Sequence, residues 1–191
     1  MTIFFIADTH FGHQGILRMS RRPFADIAEH DLMLIEAWNR TVRPTDEVWH
    51  LGDFAYRCTA EHAARVFDRL NGTKRLVCGN HEKRGRALAW ASQHEGYLET
   101  AVEGRRVILS HYGMRAWNGA FRGSLHLFGH THGLIPDTTQ SCDVGVDRWG
   151  YRPARLGEIL ARMEATETLP EEIALARAAG AENDEEADDV A

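Results

Sequence analysis

The sequence predicts an α/β fold with helices packed outside at least one sheet. Two observations carry this. Through the first half, short apolar runs of strand length alternate with amphipathic stretches of helix period. Through the second half, strand-like runs predominate, separated by glycine-containing turns.

The elements follow in order. Ile3-Phe4-Phe5-Ile6-Ala7 is apolar at every position, as in a strand buried on both faces. Asp26 with Glu29 three residues later is a capping-box variant. It opens a helix to about Arg40, with Leu34, Ile35, Trp38 and Val42 on one side and Pro44 helping to stop it. Residues 47–51 are a second strand. Thr59 to about Leu70 is a helix with Ala63, Val66, Phe67 and Leu70 at core spacing, and Gly72 follows as a left-handed cap. Residues 74–78 are a third strand, and 86–94 reads as helical. Residues 98–102 and 105–110 flank Glu103-Gly104 as a hairpin. Residues 124–128 and 141–146 are further strands. Leu156, Ile159, Leu160 and Met163 form one helical stripe over 156–164, and a second amphipathic piece, 171–179, follows Pro170. A main domain is expected over 1–165, with a helical piece and an acidic, disordered end over 166–191.

Composition excludes several classes. With 43% hydrophobic and 26% charged residues, the 191-residue chain is neither collagenous nor low-complexity. No apolar run nears the roughly 18 residues of a membrane span, and the opening stretch has no basic flank, so a cytoplasmic protein without membrane contact is expected. Cys58, Cys78 and Cys142 form no closely spaced pair, so neither a disulfide framework nor a four-cysteine zinc site is expected. The net charge of -6 is local. Glu182, Asp184, Glu185, Glu186, Asp188 and Asp189 lie in the last ten residues; removing these six from the 28 acidic residues leaves 22, against 22 basic ones. An acidic chain is not a general binder of nucleic-acid backbone, so nucleic acid is not the favoured partner.

The chemistry is announced by what ends each apolar run. The first strand ends in Asp8-Thr9-His10, the second in Gly52-Asp53 and the third in Gly79-Asn80-His81. The run 105–110 ends in His111, and 124–128 ends in Gly129-His130-Thr131-His132. In α/β sheets ligands gather beyond the carboxyl ends of strands, so five strands delivering Asp, His and Asn there describe one converging site. Carboxylate, imidazole and amide oxygen, without thiolate, suit first-row divalent metals such as manganese, iron or zinc. An extended Asp-x-His or His-x-His would place both side chains on one face, and glycines before Asp53, Asn80 and His130 would allow sharp turns. Seven ligands exceed one tetrahedral metal. They fit two metals about 3.5–4 Å apart sharing a carboxylate.

With these motifs assembled, the chain resembles the calcineurin-like metallophosphoesterases over residues 3 to about 160. The motifs together are specific for that superfamily but not for a substrate. The resemblance implies a four-layer α-β-β-α sandwich of two mixed sheets flanked by helices. It implies that Asp8, His10 and His132 hold one metal, that Asn80, His111 and His130 hold a second, and that Asp53 bridges them. It also implies a metal-bridging hydroxide attacking phosphorus in line, with His81 acting on the leaving-group oxygen. Mn2+ is the expected metal, with Fe, Zn or Ni as alternatives. Glu82 stands where the family usually has Asp. The implied activity is a phosphodiesterase or phosphomonoesterase acting on a phosphate-ester small molecule or nucleotide. A nucleic-acid end-processing enzyme and a non-catalytic metal-binding scaffold are the alternatives. His13, Arg22 and Arg84 are the candidate substrate contacts, with Trp117, Phe121, Trp149 and Tyr151 as aromatics that would cover the site or stack on a base.

Overall fold

The computed structural model describes residues 1–180; the acidic segment expected at 182–191 lies outside the described residues. Nine strands and five α-helices follow in the order β1 (Ile3–Ile6), α1 (Ile16–Met19), α2 (Ile27–Thr41), β2 (Glu47–His50), α3 (Ala60–Arg69), β3 (Thr73–Val77), β4 (Ser92–His94), β5 (Tyr97–Val102), β6 (Arg105–Ser110), β7 (Leu125–Phe128), β8 (Ser141–Asp143), β9 (Ala154–Arg155), α4 (Leu156–Glu164) and α5 (Glu171–Ala178). No helix among the described residues is long and apolar enough to cross a membrane.

The strands form two mixed sheets. The first has the order β4-β3-β2-β1-β9, parallel except for β9; the second has the order β5-β6-β7-β8, parallel except for the β5–β6 hairpin. Strand alternation distributes the core. Phe4, Ile6, Val48 and Leu76 point outward from the first sheet against Leu34, Ile35 and Trp38 of α2 and Val66 and Phe67 of α3. Phe5, Ala7, Trp49, Leu51 and Val77 point inward and meet Val107, Leu109, Leu125 and Leu127 of the second sheet, with Leu156, Ile159 and Met163 of α4 joining the same core. The outer face of the second sheet is covered at Ile108 by Trp117, Ala120 and Ile173 of α5. Both faces of β1 are therefore buried, which is why it reads as an unbroken apolar run.

Local signals explain most boundaries. Asp26 caps α2 by accepting from Glu29 N at 2.8 Å, while Glu29 reaches back to Ala25 N at 2.6 Å. Thr59 caps α3 through His62 N. Glu103 and Gly104 both have positive φ, the geometry of a primed hairpin turn, and Tyr97 pairs with Ser110 at the far end.

The structure differs from the sequence reading in three places. Residues 86–94 are not a helix: a single 3-10 turn, Gly85–Ala87, gives way to edge strand β4. Trp90 decides this. Its indole donates to Gly85 O and its ring packs on Phe54 and Phe67, while Ala91 N bonds Lys74 O and starts the pairing with β3. Tertiary packing overrides helix propensity there. Second, β9 has only two residues and no periodicity to read. Third, Trp117 is no site cover. It is buried in the outer core, and its indole donates to Ser124 O.

One prediction arises from the second sheet. His126 is fully buried, accepts from Met114 N at Nε2 and therefore donates from Nδ1 to Ile108 O. Burial pushes its pKa down to about 4. The unfolded chain takes up this proton near pH 6.5 and the folded protein does not until about 4, so stability must fall as pH drops through that window. From pH 7 to 5 this one group is expected to remove about 2 kcal/mol, read as a lower urea midpoint. His126→Gln should flatten that dependence.

Candidate metal centre

The carboxyl ends of β1, β2 and β3 meet those of β6 and β7 at one edge. The join is made by backbone. Ala7 N donates to Val144 O, Val146 N donates to Ala7 O, and Ala7 and Gly145 form a parallel bridge. Around that join stand two groups of side chains. Asp8, His10 and His132 present ligand atoms within 4.8 Å of one another, and so do Asp8, Asp53 and His111. Asp8 thus contributes to both.

Asp53, a member of the second group, also faces the first. Its Oδ2 is 3.6 Å from His10 Nε2, and its Oδ1 is 3.5 Å from His111 Nε2. His111 is oriented by its other nitrogen, which donates to Leu51 O at 2.7 Å and leaves Nε2 as a bare acceptor. That bare nitrogen faces Asp53 Oδ1 and, at 3.0 Å, Asn80 Oδ1. Lone pairs converging in a buried site repel unless a cation lies among them. His132 is oriented likewise, its Nδ1 donating to Asp147 Oδ2 at 2.7 Å. Asn80 and His130 sit at the exposed rim. The His130 ring stands edge-on to His111 at 5.1 Å and to Tyr112 at 4.6 Å, outside both compact groups.

The electrostatics fit cations. Asp8 is fully buried; burial, Asp143 and Asp53 raise its pKa well above the carboxylate range, and its Oδ1 has no hydrogen-bond partner. Burial, then Arg22 and His132, push His10 well below the ordinary histidine value, and both of its ring nitrogens are buried without a hydrogen bond. Burial likewise lowers His111. A buried Asp8 carboxyl whose ionisation burial disfavours, beside His10 and His111 imidazoles whose protonation burial disfavours, forms a site whose charge balance a divalent cation would complete.

The backbone that presents these groups is unusual. Among the described residues nine non-glycine residues have positive φ, and five of them are Asp8, His10, Asp53, His130 and His132. The expected extended Asp-x-His is therefore corrected. The strand has ended, and left-handed residues aim the side chains, each at a cost of about 1–3 kcal/mol. Gly52 itself has φ +92, while Gly79 is needed for space, since a Cβ there would fall on Asp53 Oδ1 and its backbone N.

Surrounding residues hold this geometry. Glu82 is buried, and its carboxylate accepts from Asp53 N at 2.7 Å, Gly79 N at 3.1 Å and Phe54 N at 3.3 Å. Asp143 accepts from Thr131 Oγ1, Gly133 N and Gly145 N, fixing the His130–His132 turn. Arg22, expected near substrate, is instead 4% exposed. It donates to Asp8 O, Thr9 O and both oxygens of Asp147, and to His30 Nε2; His30 then donates to Asp31, which also holds Gly12 N. His13 is also buried, with its ring 5.6 Å from that of His10 and edge-on to Tyr56. Of the three candidate substrate contacts only Arg84 is exposed. Trp149 donates to Asp143 O, and Tyr151 packs on Phe24. No motif spacing in the sequence marks Asp147, Asp143 or Glu82 as site residues, because Arg22 lies 125 positions from Asp147 and the Glu82 carboxylate turns inward onto backbone N–H groups.

Residues 1–148 match the model of the calcineurin-like phosphoesterase superfamily domain. The chain belongs to this superfamily. Two relatives of this phosphoesterase are an uncharacterised protein of Methanocaldococcus jannaschii, 30% identical over 170 residues, covering 85% of this chain and 91% of the relative, and the gene 66 protein of Mycobacterium phage D29, 30% identical over 181 residues, covering 77% and 88%. A protein of unknown function from Aquifex aeolicus has the same fold, with a TM-score of 0.67 at 24% identity, covering 83% of this chain and 97% of that one.

The phosphoesterase geometry yields a test of support at a distance. Asp147→Asn removes the negative charge that orients His132 and leaves a single amide oxygen for His132 Nδ1 and the Arg22 guanidinium to share, while keeping the volume. It is expected to weaken Mn2+ binding by about 10–100-fold in calorimetry. Unchanged affinity would show that His132 needs no such partner.

Proposed function

We propose that the protein is a two-metal hydrolase of phosphate esters, a phosphodiesterase or phosphomonoesterase acting on small or nucleotide-like substrates. The observation that carries this reading is Asp53, whose two oxygens face two different histidines, one from each group of ligand atoms. Asp8, His10 and His132 would hold one cation. Asn80, His111 and His130 would hold the other, with Asp53 shared. The donor set of oxygen and nitrogen suits Mn2+, Fe, Zn or Ni, with Mn2+ the first to test. When bound, such a pair supplies an activated water at neutral pH and positive charge against the phosphoryl oxygens.

The chain's own side chains do the rest. Asp53 sets the spacing of the two halves and accepts His81 N at 2.8 Å, which ties the His81 backbone to the shared carboxylate. The His81 ring is half-buried, 6.0 Å from the His10 ring and packed at a tilt against Tyr56 at 4.1 Å. From there it would give a proton to the leaving oxygen as the P–O bond breaks, so a poor leaving group departs as an alcohol.

The test is direct. Metal-stripped protein titrated with Mn2+ should take up two equivalents. The loaded protein should hydrolyse an aryl phosphate monoester or diester, and chelation should abolish that activity. Binding of Mn2+ with no turnover of either ester would leave a metal-binding scaffold instead.

A further inference from the structure

Beside the candidate metal centre lies a cavity of about 330 Å³, lined by Tyr56, Arg57, Cys58, His81, Lys83 and Arg84 together with Ala55. His81 belongs to its wall, and none of the seven candidate metal ligands does. We propose that this cavity is a subsite for a second phosphate of the substrate, so that the enzyme acts on small organic phosphates carrying two phosphate groups, such as nucleoside bisphosphates. This rests on the phosphoesterase reading and names the substrate class for it.

Four observations support the subsite. Three cations line the cavity and no carboxylate does. The neighbouring acid that would neutralise them, Glu82, is turned inward onto three backbone N–H groups, and no ion pair of Arg57, Lys83 or Arg84 occurs among the described residues. Two of the cations are held in place. The Arg57 guanidinium lies 5.2 Å over the Tyr56 ring that also carries His81, and Arg84 Nε donates to Cys58 O at 3.1 Å, leaving its terminal amines open. Arg57 also takes a left-handed backbone, φ +53, a strained conformation of the kind that collects at functional sites.

Guanidinium groups match phosphate oxygens in geometry as well as charge, and pinned ones lose little freedom on binding. A cavity of this volume is at the size of small-ligand sites, far larger than one phosphate needs. The balanced body and the net charge of -6 disfavour a long polyanion, which points to a small substrate. In the reaction, water oxygen bonds to the first phosphorus and gives up a proton to solvent, the P–O bond to the leaving oxygen breaks, that oxygen takes the proton of His81 and departs as the alcohol, and His81 regains a proton from solvent. The second phosphate, held by Arg57, Lys83 and Arg84, is left unchanged.

The experiment compares thymidine 3′,5′-bisphosphate with thymidine 5′-monophosphate on the Mn2+-loaded full chain, by turnover and by calorimetric binding. The bisphosphate should be preferred at least 30-fold or so in kcat/KM, and its Kd should rise about 10-fold for Arg57→Ala or Lys83→Ala. In Lys83→Glu/Arg84→Glu the preference should vanish. Equal use of the two nucleotides, or a Kd indifferent to all these changes, would overturn the subsite. So would a labelled oligonucleotide cut faster than the bisphosphate, which would assign the cations to nucleic acid. Tight, Lys83-dependent binding of the bisphosphate without turnover of it or of p-nitrophenyl phosphate would keep the subsite and overturn the hydrolase reading.

Discussion

Asp53→Asn is expected to lower kcat by about 10³-fold or more, because it removes the charge shared between the two ligand groups. The substitution is nearly isosteric. The amide oxygen can still accept from His81 N, and the backbone bonds from Asp53 N to Glu82 and from His10 N to Asp53 O do not depend on the carboxylate. The fold should therefore survive, with a thermal midpoint close to the parent's. The loss should appear in metal stoichiometry as well as in rate, falling from two equivalents of Mn2+ towards one. Wild-type turnover in this variant would refute the shared-carboxylate assignment. Normal stoichiometry with lost turnover would instead place Asp53 in the chemistry and not in holding the cations.

Phe54→Ala should be the most damaging single change to stability near the site. Phe54 follows Asp53 directly and is fully buried, its ring packed against Phe11, His50, Phe67 and Trp90 at centroid distances of 5.1–5.8 Å. Its carbonyl accepts Thr9 Oγ1 at 2.8 Å, so the same residue ties the second motif to the first. Truncation leaves a cavity between α3, β2 and the segment that bears Asp8 and His10. The expected cost is about 3–5 kcal/mol, or roughly 10 °C in thermal midpoint for a domain of this size. A loss below 1 kcal/mol would mean that Trp90 and Phe67 collapse into the space.

The two variants separate functions that lie one residue apart. Asp53 faces the ligand cluster at no cost to the core. Phe54 faces the core and affects the cluster only through the backbone. A left-handed φ of +60 at Asp53 makes this division, turning its carboxylate to the strand edge while Phe54 returns to the interior.

How much of this was legible beforehand varies by element. The helix over 156–164 coincides with α4, and the hairpin at Glu103-Gly104 stands where its turn residues place it, because those signals are local. The helix expected at 86–94 failed because Trp90 is claimed by a core more than twenty residues upstream in sequence. Arg22 reads like any basic residue beside a motif. Its burial follows from Asp147, 125 positions away, and from carbonyls that only a left-handed turn exposes.

The linear order of residues by itself determined the α/β class, the alternation that buries both faces of β1, and which polar residues end which strand, since these follow from side-chain period and turn chemistry. Tertiary structure alone decided that Asp8 belongs to both ligand groups, that Asp147 and Leu51 O orient His132 and His111, that Glu82 turns inward, and that Arg57, Lys83 and Arg84 share one cavity. The physical reason is range. Periodicity and capping act within a few residues, whereas these arrangements depend on groups brought into hydrogen-bond or Coulomb contact only when two sheets close on each other.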